Sequence, residues 1–302
     1  MGVQNMTTKE ITAKTRRRRG PLAETLHRQL PLIPGHVLLI VWILFTFVML
    51  FWIVAASLST APEIMRGNAL KFASGLHFEN YVKAWTSNSI AVYFMNSLLY
   101  ATCGMVGSLL VSAPASYVLS RFVFKGNTAI RNAFVSAMSI PQIMIVMPLF
   151  SLATRMGLTG HKATLIFLYI GMQVPYTTTF LIAFFANLSR VYEEAAAIDG
   201  CTPMKTFWVI MLPLAQSGLV TVGIFNFMSL WNEYFLSLIF ASSSKNMSVG
   251  PGLQSVLTAM QYTGDWGGLF AAVVIVFMPT LLLYLFLSKA IISGITAGGI
   301  KG

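Results

Sequence analysis

The sequence predicts an all-α, polytopic membrane protein with six transmembrane helices. Hydrophobic residues make up 56% of the 302-residue chain and charged residues only 10%, a balance that excludes an ordinary soluble domain. Six stretches, 37–58, 92–117, 132–152, 163–186, 214–240 and 268–288, supply the roughly 20 apolar residues that a helix needs to cross a bilayer. The basic residues are unevenly divided between the segments that join them. With the amino terminus inside, fourteen lie on the inner side, and only Arg66, Lys71, Lys83, Arg155, Lys162 and Lys245 lie on the outer. This places both termini in the cytoplasm.

The chain divides into a basic amino-terminal segment 1–34, a transmembrane domain 35–292 and a short tail 293–302. Arg16 to Arg19 lie just before the first apolar span and act as a topological anchor, so no nucleic-acid partner is implied. Prolines fall inside several spans: Pro114, Pro141, Pro148, Pro175 and Pro279. Each removes a backbone hydrogen bond and is able to bend its helix. Pro141 and Pro175, with Gln142, Gln173 and Tyr176 beside them, are the candidates for helices that line a path, since polar groups at membrane depth face the bundle interior.

Segment 190–213 is different in kind. It holds Glu193, Glu194 and Asp199, three of the nine acidic residues. Glu193 to Ile198 favour helix, and Ala195, Ala196 and Ala197 leave that helix little bulk. Gly200 permits the left-handed geometry that ends it, and Thr202 followed by Pro203 is a cap and first-turn pair opening a second short helix through Trp208 or Ile210. Helix, turn, helix is expected, with small residues and carboxylates at the tip. Its surface suits another protein.

The fifth span carries Glu233 within Leu230-Trp231-Asn232-Glu233-Tyr234, the one carboxylate inside an apolar stretch. A charge at mid-membrane costs roughly 2.5–3.5 kcal/mol on insertion scales, so Glu233 is expected to face protein or water, either on a substrate path or as an internal hydrogen-bond partner. Asn226 and Asn232 are placed with it on one side of the helix. Segment 241–267 reads as an outer loop rich in Ser, Gly and Asn, ending in Gln261, Tyr262, Thr263, Gly264 and Asp265, either free to enter a cleft or a solvated connection anchored by Trp266. The tail Ala297-Gly298-Gly299-Ile300-Lys301-Gly302 has little side chain, and alone it is expected to fray.

Cys103 and Cys201, the two cysteines, fit neither a disulfide framework nor a metal cluster. No Gly-x-x-x-x-Gly-Lys-Ser/Thr phosphate loop and no His-Glu-x-x-His motif occurs in the sequence, so no catalytic residue, metal or cofactor is assigned to this chain. The residues alone leave three classes open: a subunit of a driven transporter, an autonomous secondary transporter or channel, and a membrane scaffold that recruits a cytoplasmic protein.

One spacing narrows them. Glu-Ala-Ala, three residues, Gly, nine residues, Ile, one residue and Leu-Pro are filled by Glu194, Ala195, Ala196, Gly200, Ile210, Leu212 and Pro213, with Asp199 before the Gly. This resembles the EAA loop of ABC importer permeases, with Cys201 where a smaller residue is usual. The ending Ile-Thr-Ala-Gly-Gly-Ile-Lys-Gly is similar to that of the maltose-type subgroup, and the Trp-Asn-acid-aromatic run of the fifth span also looks like the sugar importers.

The resemblance implies the type I permease architecture and a sugar or oligosaccharide cargo. It implies a second homologous permease subunit, two copies of an ABC ATPase holding the ATP and Mg, and an extracytoplasmic solute-binding protein. The 190–213 loop would be the coupling element. The 261–265 segment would reach the binding protein, and the tail would enter between the ATPases.

Overall fold

The computed structural model describes the backbone of residues 32–299 and side chains through residue 288. Segment 1–31, with its arginine cluster, and the tail residues Ile300, Lys301 and Gly302 lie outside the described residues. Ala297, Gly298 and Gly299 are described by backbone alone.

Every regular element among the described residues is helical. In chain order these are α1 (Ile33–Ser57), α2 (Ala61–Met65), α3 (Glu79–Thr86), α4 (Ile90–Arg121), α5 (Asn127–Met138), α6 (Gln142–Arg155), α7 (Lys162–Asn187), α8 (Val191–Ile198), α9 (Pro203–Thr206), α10 (Gln216–Trp231), α11 (Phe235–Phe240), α12 (Val249–Thr263) and α13 (Trp266–Gly299). Between α9 and α10 the chain makes a π-helical turn, Phe207–Met211, and a short turn, Leu212–Leu214. Four helices, α1, α4, α7 and α13, are long and apolar enough to cross a membrane alone. Two bent pairs, α5 with α6 and Pro203–Leu214 with α10, bring the number to six when each pair is one span.

The chain divides into residues 1–53 and 54–302. In the first unit α1 is apolar on all sides, with Leu38, Trp42 and Phe47 exposed along its length. A helix apolar all round belongs in lipid or against a partner helix.

The second unit is built on α4 and α7. Helices in lipid gain little from hydrophobic burial and associate through close packing and polar contacts, which favours small residues where they meet. Gly104 and Gly107 serve this on α4. A Cβ at Gly107 would lie 2.4 Å from Ile170 Cδ1, and one at Gly104 would lie 2.5 Å from Leu230 Cδ1 and 3.2 Å from Tyr169 Cβ. Both α7 and α10 therefore lay side chains directly against the backbone of α4. Three apolar clusters fill the rest. One gathers Ile90, Tyr93, Trp231, Val249 and Ala272. A second gathers Tyr100, Val146, Tyr169, Leu236 and Phe240. The third, Tyr117, Phe185, Phe207, Met211 and Val222, lies under segment 190–213.

The segment before α4 is held by polar contacts. Glu63 Oε2 accepts the Thr60 N–H at 3.0 Å and the Thr60 hydroxyl at 2.9 Å, and Oε1 accepts the Ser74 N–H at 2.9 Å. These bonds favour the charged form and hold the Glu63 carboxyl down at about 2. Asn80 Nδ2 donates to the carbonyls of Ser57 and Ser59, both at 3.0 Å, which ties α3 to residues 57–59.

Several sequence expectations are corrected here. The third span is not one helix: α5 and α6 meet at 98°, and Pro141 stands in extended geometry at the junction with φ −60° and ψ 128°. Proline disfavours helix in the residue before it and cannot donate the next helical bond, so the helix restarts at Gln142. Pro175, by contrast, lies inside continuous α7 and breaks nothing. The fifth span does not run unbroken to residue 240. It stops at Trp231 and restarts at Phe235. Segment 241–267 is not an open loop, because 249–263 forms α12, with Pro251 and Gly252 buried in it. The tail stays helical to Gly299 as the end of α13.

Candidate coupling loop and buried polar seam

α8 ends in a two-bond cap that its sequence dictates. The Gly200 N–H donates to Ala197 O at 3.1 Å and the Cys201 N–H to Ala196 O at 2.9 Å, with Gly200 at φ +74°. This is the Schellman arrangement, which satisfies carbonyls a helix end would otherwise leave open. Thr202 then caps α9, its Oγ1 accepting from the Lys205 N–H at 3.4 Å, and Pro203 takes the first helical position.

The predicted residues divide between two faces. Ala196 is buried, Ile210 and Leu212 are half-buried, and Thr206, Phe207 and Met211 beneath them are buried in the third cluster. Glu194, Ala195, Asp199, Gly200 and Pro213 are exposed. Beside them stand exposed apolar side chains, Ile198 at 88% and Met204 at 67%. The knuckle thus presents carboxylates, small residues and large exposed apolar groups side by side, a make-up suited to contact with another protein.

Sequence reasoning missed what anchors the knuckle. Arg121, at the last turn of α4, donates from a terminal guanidinium nitrogen to Leu188 O at 2.7 Å, and its Nε lies 3.4 Å from Glu193 Oε2. The Arg121 side chain is only 5% exposed. Glu193, next to the motif glutamate, thus ties α8 to the second span, while Glu194 stays free to face outward. Only the placing of an arginine at the end of an apolar run hinted at this. The π-helical turn was likewise not foreseen. In it the Leu212 N–H reaches back to Phe207 O, one residue further than an α-helix allows.

A polar seam runs between α4, α7 and α10. Asn226, fully buried, donates from Nδ2 to Ser108 Oγ at 2.9 Å and to Thr177 Oγ1 at 2.8 Å. Gln173 Nε2 donates to Ser229 Oγ at 3.0 Å. Past the end of α10, Glu233 accepts from Tyr169 Oη at 2.6 Å and from Gln142 Nε2 at 3.4 Å. Its two oxygens also take the N–H groups of Leu236 at 2.6 Å and Ser237 at 3.2 Å. Gln173, Asn226 and Glu233 are therefore each bonded inside the bundle, through separate partners.

Two other candidates do not join them. Asn232 is exposed and donates to Met228 O, and Tyr176 is half-buried beside Phe180. Asn226 and Asn232 do not share a face, because six residues at about 100° each turn the helix well past a full circle.

At the opposite end, Gln261 and Tyr262 stand exposed in the last turn of α12, and Gly264 ends it at φ +64°. Asp265 turns inward. Its Oδ1 accepts from the Gly268 N–H at 3.2 Å, and Lys83 Nζ lies 3.1 Å from Oδ2, so it caps α13 and pins it to α3.

The sequence profile of binding-protein-dependent transport system inner membrane components matches residues 105–296, which include the whole knuckle and the seam. The chain belongs to this family. It is an importer permease subunit, and the autonomous-carrier and scaffold readings give way to that one.

Among its relatives, the chain is 32% identical over 264 residues to the diacetylchitobiose uptake system permease protein NgcG of Streptomyces coelicolor, covering 87% of each protein. It is 34% identical over 254 residues to the probable ABC transporter permease protein YurM of Bacillus subtilis, covering 84% of this chain and 83% of that one. With the trehalose/maltose transport system permease protein MalG of Thermococcus litoralis it shares 29% identity over 283 residues, 93% of this chain and all of the other. In fold it is similar to a chain of a bacterial ABC transporter involved in the import of the acidic polysaccharide alginate, at TM-score 0.76 and 20% identity, over 86% of this chain and 96% of that one.

Proposed function

We propose that this permease forms half of the membrane pathway for a carbohydrate, paired with a second, homologous permease. Two copies of a separate ATPase hold the ATP and Mg and press on the knuckle. An extracytoplasmic binding protein delivers the solute at the opposite end, near Gln261 and Tyr262. In this reading both termini and the 190–213 segment face the cytoplasm, this chain hydrolyses nothing itself, and residues 297–302 reach between the ATPases.

The observation that carries the reading is the two-faced knuckle. Its inner face is locked by the two-bond cap, by Phe207 and Met211, and by Arg121. Its outer face presents Glu194, Ala195, Ile198, Asp199 and Met204. A load on that outer face passes through a rigid turn into α10 and the base of α4. The carbohydrate cargo is supported by relatives whose names give diacetylchitobiose, trehalose and maltose systems.

Glu194→Lys or Gly200→Pro is expected to abolish ATP-driven uptake in proteoliposomes while the chain still inserts and folds. Normal uptake by both variants would overturn the assignment of this segment. A binding screen of sugars against the matching extracytoplasmic receptor identifies the cargo.

A further inference from the structure

The third span is broken at 139–141, and residues 232–234 interrupt the chain between α10 and α11; one side chain touches both breaks. Glu233 lies in the second break. It receives Gln142, the first residue after the first break, and Tyr169 from unbroken α7. It also receives two N–H groups of the first turn of α11, those of Leu236 and Ser237.

We propose that Glu233 is a positioning residue that pins the two breaks to each other and to α7, so that α6 and α11 swing as one block. The proposal rests on the permease reading for what drives that swing, and not for the pin itself.

The donor count supports this role. A carboxylate offers about four acceptor sites, and four donors occupy them here. No lone pair is left for a solute hydroxyl, which argues against a substrate contact. All four neighbours donate, so only an acceptor-only group matches the site. A glutamine of the same shape would turn an N–H donor towards another donor. The rest of the block is already packed: Val146 of α6, Tyr169 of α7 and Leu236 and Phe240 of α11 share one cluster, and the Phe150 and Phe240 rings meet edge to face at 5.5 Å. The apolar contacts hold the block together, and the carboxylate fixes its angle against α10 and α5.

Pulsed electron-electron spin resonance on the assembled transporter tests this with two label pairs, each across one break. Val135 and Met147 span the first, and Val220 and Leu238 the second; all four positions are exposed. Cys103 and Cys201 are replaced by serine in the parent.

In the parent both distances are expected to be narrow and to shift together when ATP and Mg are added. Glu233→Gln is expected to broaden both resting distributions and to abolish the joint shift while the complex still assembles and hydrolyses ATP. Unchanged widths and an unchanged joint shift in Glu233→Gln would overturn the proposal. Where that variant fails to insert, Tyr169→Phe is read instead. It removes one donor and should broaden both pairs less, and no broadening again overturns the pin. If neither pair of the parent responds to nucleotide, the joint swing of α6 and α11 is overturned, while the resting widths still judge the pin at Glu233.

Discussion

Gly200 gives the sharpest test of how the knuckle is built. Its φ is +74°, and a Cβ placed on it would meet nothing within 4 Å. The cost of a side chain in the chain alone is therefore conformational and not steric. Alanine in the left-handed region costs roughly 1–2 kcal/mol. Asparagine tolerates that region better despite its larger size, because its short polar side chain bonds locally. Proline is worst: it fixes φ near −65° and removes the N–H that donates to Ala197 O at 3.1 Å, a bond worth about 1 kcal/mol beyond the strain.

The intact cap should follow Gly, Asn, Ala, Pro in falling order, with alanine losing roughly tenfold in the capped population per 1.4 kcal/mol. Limited proteolysis at the 199–206 turn of the purified chain in nanodiscs reads this directly. Uptake by the assembled transporter reads its consequence. If proteolysis ranks alanine above asparagine, or leaves the proline variant as resistant as the parent, the cap is not what holds the turn.

Other predictions concern stability. Glu63, held down from 4.5 to about 2, contributes stability that is present above the ordinary carboxylate range and is lost as pH falls through that window. The difference in melting temperature between parent and Glu63→Gln should therefore be largest near neutrality, shrink as pH falls below 4.5 and vanish only below about pH 2. Gly267→Ala would put a Cβ 2.7 Å from the Ser59 carbonyl oxygen and 2.5 Å from Asn80 Nδ2, and should cost about 1–3 kcal/mol in detergent unfolding. Gly171→Ala, with nothing within 4 Å, should be neutral or gain up to about 1 kcal/mol in the same assay. Asn226→Ala removes two buried hydrogen bonds, to hydroxyls that keep their own bonds to Met105 O and Gln173 O, and should lose about 1–2 kcal/mol, measured by denaturation in mixed micelles; no loss would mean that the seam holds nothing.

The parts of this molecule legible in its sequence are those whose cause is local. Gly200, Thr202 and Pro203 act within a few residues, so the helix-turn-helix could be read from them. The spans could be read because apolar length is a local property. The breaks could not be read. Pro141 differs on paper in no way from Pro175, yet one ends a helix and the other sits inside an unbroken one, and only the packing around each decides. Likewise Gly250, Pro251 and Gly252 read as loop. In the fold Pro251 occupies the tolerant first turn of α12, and Gly252 is where that helix meets Tyr93, whose ring atoms would lie 2.3 Å from a Cβ. Arg121 with Glu193, and Glu233 with Tyr169 and Gln142, join residues far apart in the chain. No spacing announces such pairs.

The measurement that bears most directly on the central claim is site-specific photocrosslinking from the outer face of the knuckle. A photoreactive residue at Ile198, in the complete transporter in its membrane, is expected to capture the nucleotide-binding subunit, whereas the same residue at buried Ala196 should capture only this chain. Capture of the extracytoplasmic binding protein from Ile198, or of lipid alone, would contradict the account.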